Sequence, residues 1–421
     1  MKIALSLEEM NLGGGPKFTL NLGHCLVRAG HRVTILAERE GEWWPELGPR
    51  NLSGYCLPPM TWSTLAQKAK ALADHCNRER YDVLVINASI LNRVAHCASH
   101  LLDDRISVIL IFLGCWQALF DIALRDIAVW NCAVGVGPRV HELGAFFFPE
   151  KPVFCIPICV EAPDADQSLH RAEWELPLRL LYVGRLIDSH KGVLRLASIL
   201  ASCRRRGLPV TLTVIGDGED RGRLVRRFAE EGVSDLVCMT GAQEPDSIAG
   251  AMQNYHLFIF PTNTEGMPHV VLEAQAAGCV VITTNLPGIT DIAVADRISG
   301  RLAEPGNIEQ FVDHISEMMD PAVWKAHSLA GIEHVREQFS LTAMGEQYER
   351  LLTDVRQGCY HVKRPYHATQ SWHSVPMAWW ELLPTPLVRV ASRMRADLRT
   401  FIARARGEAY HSPRIATDGN P

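Results

Sequence analysis

The sequence lacks the marks of several large protein classes. No run of the ~20 apolar residues that a membrane-spanning helix needs is present. The longest apolar stretch, from Ile106 to Phe120, is shorter and is broken by Gly114 and Gln117. None of the twelve cysteines stands in a CxxC pair, and the closest two, Cys155 and Cys159, have no histidine or second pair at zinc spacing. They read as reduced, buried thiols rather than as disulfides or metal ligands. A strong excess of one charge is missing too. A formal net charge of -5 over 421 residues is no footprint for nucleic acid. The opening Met1-Lys-Ile-Ala-Leu-Ser6 enters a strand pattern directly, without the tripartite pattern of a signal peptide. A cytoplasmic protein is expected.

What is present is alternation. Short apolar runs at Lys2–Leu5, Arg32–Ala37, Val83–Ile86, Val108–Leu113, Ala133–Val136 and Val153–Ile156 are separated by helical stretches. One of these, Phe18–Ala29, has helical periodicity and Gly30 as its stop. A second series follows at Leu178–Val183, Val210–Ile215, Leu236–Thr240, Leu257–Phe260 and Val280–Thr283. Each series predicts a Rossmann-like, doubly wound parallel sheet. The chain is also too long for one ordinary core. We divide it into an amino-terminal domain, 1–163, a second domain, 164–338, a crossing helix, 339–356, and a Trp/Pro-rich, then basic tail, 357–421. The polar stretch from Glu161 to Ser168 serves as linker. Two such lobes leave a cleft between them, the usual place for a ligand.

The stretch from Thr262 to Gly278 carries the most chemistry. Glu265 and Glu273 flank a Gly-Met-Pro turn that opens a helix after the apolar run Leu257–Phe260. Free backbone N–H groups at a helix start attract anions, phosphate above all. A ligand with phosphate in its middle and hydroxyls at both ends suits that layout, and a nucleotide-sugar is such a ligand. Earlier, Leu181-Tyr-Val-Gly-Arg-Leu-Ile-Asp-Ser-His-Lys-Gly192 ends a strand at Gly184 and puts Arg185 and Lys191 at the carboxyl edge of the sheet. A guanidinium fork and an ammonium point charge make a cradle for a diphosphate. Gly216-Asp-Gly218 and Gly13-Gly-Gly15 are weaker signals, since each also suits a plain turn. The glycine run departs from the dinucleotide pattern GxGxxG, with Phe at position 18 and no acid after the second strand except Glu38 and Glu40.

Together these segments resemble retaining glycosyltransferases of family 4, with the GT-B fold, over roughly residues 1–355. The strongest piece, Glu265-Gly-Met-Pro-His-Val-Val-Leu-Glu-Ala, is similar to that family's E-x7-E signature. Gly184-Arg185-Leu186, Lys191-Gly192, Ile215-Gly-Asp-Gly218 and Gly300-Arg-Leu-Ala-Glu-Pro-Gly306 follow the same pattern. So does Gly14-Gly15 with Ala29-Gly-His-Arg-Val-Thr-Ile35. The resemblance implies that Arg185 and Lys191, beside Gly184 and Gly216, hold a donor diphosphate. It implies that Glu273 bonds the ribose, and that Gly14 or Gly15 covers the phosphates from the opposite lobe. Residues Val237–Gly241 would border the base. Glu265, with backbone N–H groups of Gly266, Met267 and His269, would face the transferred sugar.

The implied reaction moves a sugar from a nucleotide-sugar to a saccharide or lipid-linked acceptor, with Glu265, Arg185 and Lys191 as catalytic groups and a UDP donor preferred to GDP. No metal and no cofactor is expected. Arg and Lys supply the charge, and Asp164-Ala-Asp166, which has a metal-binding form, lies in the linker. One departure stands out. Where such proteins carry a histidine after a middle strand of the first lobe, this chain reads Leu113-Gly-Cys-Trp-Gln117. His96 and His100 lie upstream on a helical stretch and read as surface or packing residues. A non-catalytic or partner-dependent sugar-nucleotide-binding protein of the same fold is therefore the alternative, and an epimerase on that fold a third.

In the tail, Leu387, Val390, Met394, Leu398, Phe401, Ile402 and Ala405 fall on one helical face, with Arg389, Arg393, Arg399, Arg404 and Arg406 on the rest. A basic amphipathic helix beside Trp379 and Trp380 suits either an anionic membrane surface, through 387–406, or docking on a protein surface.

Overall fold

The apolar runs become two parallel sheets, seen in a computed structural model that describes residues 1–60, 63–89, 91–162, 172–243 and 245–362. The Asp164-Ala-Asp166 linker and the tail helix fall outside these residues. The first sheet comprises β1 (Lys2–Ser6), β2 (Arg32–Ala37), β3 (Ser53–Cys56), β4 (Val83–Ala88), β5 (Ser107–Phe112), β6 (Cys132–Gly135) and β7 (Val153–Cys155), in the order β3-β2-β1-β4-β5-β6-β7. The second comprises β8 (Leu178–Val183), β9 (Val210–Ile215), β10 (Val237–Gly241), β11 (Leu257–Phe260), β12 (Val280–Thr284) and β13 (Gly300–Ala303), in the order β10-β9-β8-β11-β12-β13. Central strands such as β4 and β12 are buried throughout, so they read as unbroken apolar runs. Strands β3 and β13 escaped the sequence reading. β3 is an exposed edge strand, and β13 opens on glycine and carries a buried arginine.

Each sheet reverses its winding at one point, between β1 and β4 in the first and between β8 and β11 in the second. Ligands of open α/β sheets bind outside the carboxyl ends of the strands at such a switch. The glycine run 13–15 follows β1, Arg185 follows β8 and Glu265 follows β11, so the topology aims all three at the two switches. The helix after the glycines spans Gly14–Arg28 and starts four residues before its apolar periodicity begins. Gly14, Gly15 and Pro16 hide the start, because proline in a first turn forfeits no hydrogen bond.

After β13 the chain runs through helices in the second lobe and then crosses back. Val160 N–H donates to Phe339 O at 2.9 Å, a parallel bridge joins Val160 to Ser340, and the helix Leu341–Arg356 packs on Gly14–Arg28. Ser340 caps that last helix, accepting from Ala343 N–H at 3.3 Å.

His96 and His100 are packing residues, not surface ones. Both are buried, with His96 Nδ1 3.1 Å from Asp126 Oδ2 and His100 Nε2 3.0 Å from Oδ1. Burial pushes the Asp126 carboxyl up, but the two histidines outweigh it and hold the group below its usual range. No cysteine is in a disulfide. The expectation that all are buried needs correction, since Cys155, Cys238 and Cys359 are exposed. No described helix is long and apolar enough to cross a membrane.

Candidate active site in the interlobe cleft

The second lobe supplies a floor of three adjacent strand ends. Gly184, Gly216 and Gly241 close β8, β9 and β10 side by side: Gly184 N–H bonds Ile215 O at 3.1 Å, and Gly216 N–H bonds Gly241 O at 2.8 Å. At Gly216 φ is +141°, and a Cβ would lie 2.0 Å from Gly184 O. Only glycine fits there.

The segment after β8 is held by its own polar groups. Tyr182 Oη donates to Arg185 O at 3.2 Å, and Asp188 N–H donates to Asp220 Oδ2 at 2.7 Å. Burial raises the Asp220 carboxyl, but the Asp188 amide and Arg223 outweigh that and keep it below the usual range. The turn Asp188–Lys191 then delivers Lys191 to Glu265, with Nζ 2.6 Å from Oε1. Thr262 Oγ1 donates to the same oxygen at 2.7 Å, and the Lys191 ammonium lies 5.2 Å over the Phe260 ring. Glu265 is 9% exposed, so its negative charge sits beside a cation and a hydroxyl in a place that water reaches poorly. Arg185 is exposed and makes no ion pair among the described residues.

Past Pro268, the helix His269–Ala276 presents its N-terminus to the cleft and carries Glu273 one turn in. There the lobes meet. A Cβ on Gly266 would lie 2.1 Å from Leu113 O, at the end of β5. Gly14 packs against His269 and Gly15 against Leu113, while Gly137 faces Met267 and Arg139 N–H bonds Gly288 O at 3.2 Å. Lys17 of the first lobe pairs with Glu273 of the second, and Trp116 sits 6.4 Å from His190 across the gap. His269 lies in this seam against Phe18. Burial pushes its imidazole down to about 4, so it is neutral near pH 7.

The structure thus brings Glu265, Lys191, Gly266, Met267, His269, Glu273, Gly14 and Gly15 to one seam, with Gly184, Arg185, Gly216 and Gly241 on the adjoining strand edge. Lys191, expected to hold a donor diphosphate, is paired here with Glu265. Three contributors were not anticipated. Lys17 is one, although its place in a first turn after three glycines was a usable signal. Thr262 and Asp220 are the others; both act through hydrogen bonds that spacing does not reveal. No histidine stands on the first lobe's side of the seam at Leu113–Trp116.

Residues 169–327 match the family described as Glycosyl transferases group 1. D-inositol 3-phosphate glycosyltransferase of Mycolicibacterium smegmatis is 34% identical over 139 residues, 32% of this chain and 31% of that enzyme. Glycogen synthase of Mycobacterium tuberculosis is 23% identical over 334 residues, 76% of this chain and 72% of the relative. The aligned stretch therefore spans about a third of the first relative's length and nearly three quarters of the second's. Among solved structures, Anabaena HepE in complex with UDP and glucose superposes with a TM-score of 0.70 at 16% identity, covering 84% of this chain and 100% of that one. That likeness speaks for the fold. Two doubly wound sheets meeting at one seam give this chain the GT-B fold, and residues 169–327 of its second lobe match the group 1 glycosyl transferase family.

Proposed function

We propose that the protein is a retaining, metal-independent glycosyltransferase of family 4 that moves a sugar from a nucleotide-sugar, UDP-linked in preference to GDP-linked, to a saccharide or lipid-linked acceptor. The observation that carries this reading is the pairing of Glu265 with Lys191 at the mouth of the helix His269–Ala276, facing Gly14 and Gly15 of the other lobe. In such a transfer the demanding event is departure of the nucleoside diphosphate from an oxocarbenium-like carbon. Lys191, Arg185 and the helix N-terminus would stabilise charge on the leaving oxygens. Glu265, released from Lys191 when a diphosphate takes the ammonium, would orient the sugar ring. Glu273 would take the ribose hydroxyls. The acceptor would enter from the first lobe, past Gly114 and Trp116.

The seam without a first-lobe histidine favours one competing reading, a protein that binds sugar nucleotides without transferring the sugar. Incubation with a panel of UDP- and GDP-sugars decides between them. Release of nucleoside diphosphate, accelerated by a saccharide or lipid-linked acceptor, supports transfer. Binding with no release under any acceptor supports the competitor, and absence of binding refutes both. A vesicle-flotation assay with and without residues 387–406 tests the proposed membrane contact of the tail.

A further inference from the structure

The cleft's cations and anions are matched in a particular way. Each of the two carboxylates is held by one lysine, Glu265 by Lys191 from its own lobe and Glu273 by Lys17 from the other. Lys17 lies in the first turn of the helix Gly14–Arg28, with its ammonium 5.9 Å over the Trp43 ring. Two helix N-termini therefore converge on one seam, and both of these helices bring positive ends toward it. Lys17 and Lys191 stand on this seam, and Arg185 follows the adjoining strand β8.

Two buried donors or acceptors at this seam have no partner among the described residues. One is Nε1–H of Trp43, a residue 4% exposed, and the other is Nε2 of His269, 8% exposed. Glu273 Oε1 also lacks a hydrogen bond of good geometry despite its ion pair with Lys17. A buried polar group left unmatched calls for an explanation, such as an ordered water, an ion or a ligand. Glu273 Oε1, an acceptor, suits a hydroxyl donor, while Lys17 and Lys191 on the same seam suit an oxygen-rich and negatively charged group.

We infer that Lys17 is a donor-binding residue that exchanges Glu273 for the diphosphate of the nucleotide-sugar. This rests on the proposed transferase reading and adds to it a third cation, supplied from the first lobe. In this structure Lys17 neutralises Glu273. When a donor enters, the ribose hydroxyls donate to Glu273 and take over the contact that Lys17 makes with it, while the more highly charged diphosphate competes for the ammonium. The freed ammonium turns to the incoming diphosphate. Without it, Arg185 and Lys191 alone would face the two carboxylates and the diphosphate together. Separated like charges in a poorly hydrated cleft are costly, so the added cation balances the site at the moment the lobes close. No bond is made or broken by Lys17; it binds and positions the leaving group.

The test compares a nucleoside with its diphosphate. Binding of uridine, UDP, guanosine and GDP is measured by calorimetry on the full chain, for the wild type, Lys17→Met and Lys17→Arg. The expected result is that Lys17→Met weakens the diphosphate that the wild type binds by about tenfold or more, the range of a charged hydrogen bond, while nucleoside binding holds or improves. Lys17→Arg should recover most of the loss. Equal weakening of nucleoside and diphosphate, or no change in either, overturns the inference and leaves the transferase reading standing. If the wild type binds none of the four, the transferase reading falls and this inference with it. Should Lys17→Met fail to fold, Glu273→Gln answers the same question. Releasing Lys17 should raise the ratio of diphosphate to nucleoside affinity, and an unchanged or lower ratio overturns the proposal.

Discussion

Replacing Glu265 by glutamine removes one charge and almost no volume. In the folded protein Glu265 Oε1 takes Lys191 Nζ at 2.6 Å and Thr262 Oγ1 at 2.7 Å. The amide oxygen can still accept both bonds, but the charge assistance is gone. A hydrogen bond to a charged group is worth ~1.5–3 kcal/mol and a neutral one ~1 kcal/mol, so the folded state should lose ~1–2 kcal/mol. For lobes of this size that lowers Tm by roughly 2–8 °C. Affinity for the nucleoside diphosphate should hold or rise, because Lys191 no longer has a carboxylate to leave. Turnover should fall by about a hundredfold or more, as it does when an aimed electrostatic group is removed from an active site. Calorimetry with the nucleoside diphosphate and a coupled assay for its release, run on the same preparations, separate the two effects. Wild-type turnover in a folded, nucleotide-binding variant would refute the role given to Glu265. A proportionate loss of binding and turnover would show instead that it serves only to hold the pocket in shape.

Three further outcomes follow from the same geometry. Gly266→Ala places a Cβ where Leu113 O stands 2.1 Å away, so the lobes should stand apart; small-angle scattering should report a larger radius of gyration and the transfer rate should drop, and an unchanged radius would contradict the contact. His269 has its pKa pushed by burial from 6.5 to about 4. The folded state therefore resists a proton that the unfolded chain accepts, so this contribution is complete above pH 6.5 and is lost as pH falls toward 4. It amounts to about 3 kcal/mol at most, and denaturant titrations should show a steeper acid loss in the wild type than in His269→Gln. Finally, if Lys191, Arg185 and helix dipoles supply all the positive charge, a chelator should leave turnover unchanged; loss with EDTA and recovery with a divalent cation would remove the metal-independent reading.

The sheet strands and the polar loops between them were legible because a parallel strand buried on both faces leaves a continuous apolar run, as in Val280–Thr283 and Leu257–Phe260. Edge strands leave no such trace, and β3, with its exposed Ser53 and Gly54, was invisible for that reason. At the cleft, the positions of Glu265 and Glu273 could be read, since a glycine-proline turn before a helix has few meanings. Their partners could not. The salt bridge of Lys17 with Glu273 joins residues more than two hundred and fifty positions apart, and nothing local in either segment encodes it. The same holds for Asp126. Its two histidines lie 26 and 30 residues upstream, and only the packing of their helices shows why the chain can keep them in its interior.

The second lobe is tethered to the first at both of its ends, by the chain leaving Val160 and by the chain returning at Phe339, and these two strands touch. A single tether would let a lobe spin and sway. A pair bonded side by side opposes twisting that one tether alone would allow. The paired crossing thus helps keep Glu273 in register with Lys17, and severing the chain after Gln338 should cost that registration even if each half keeps its own core.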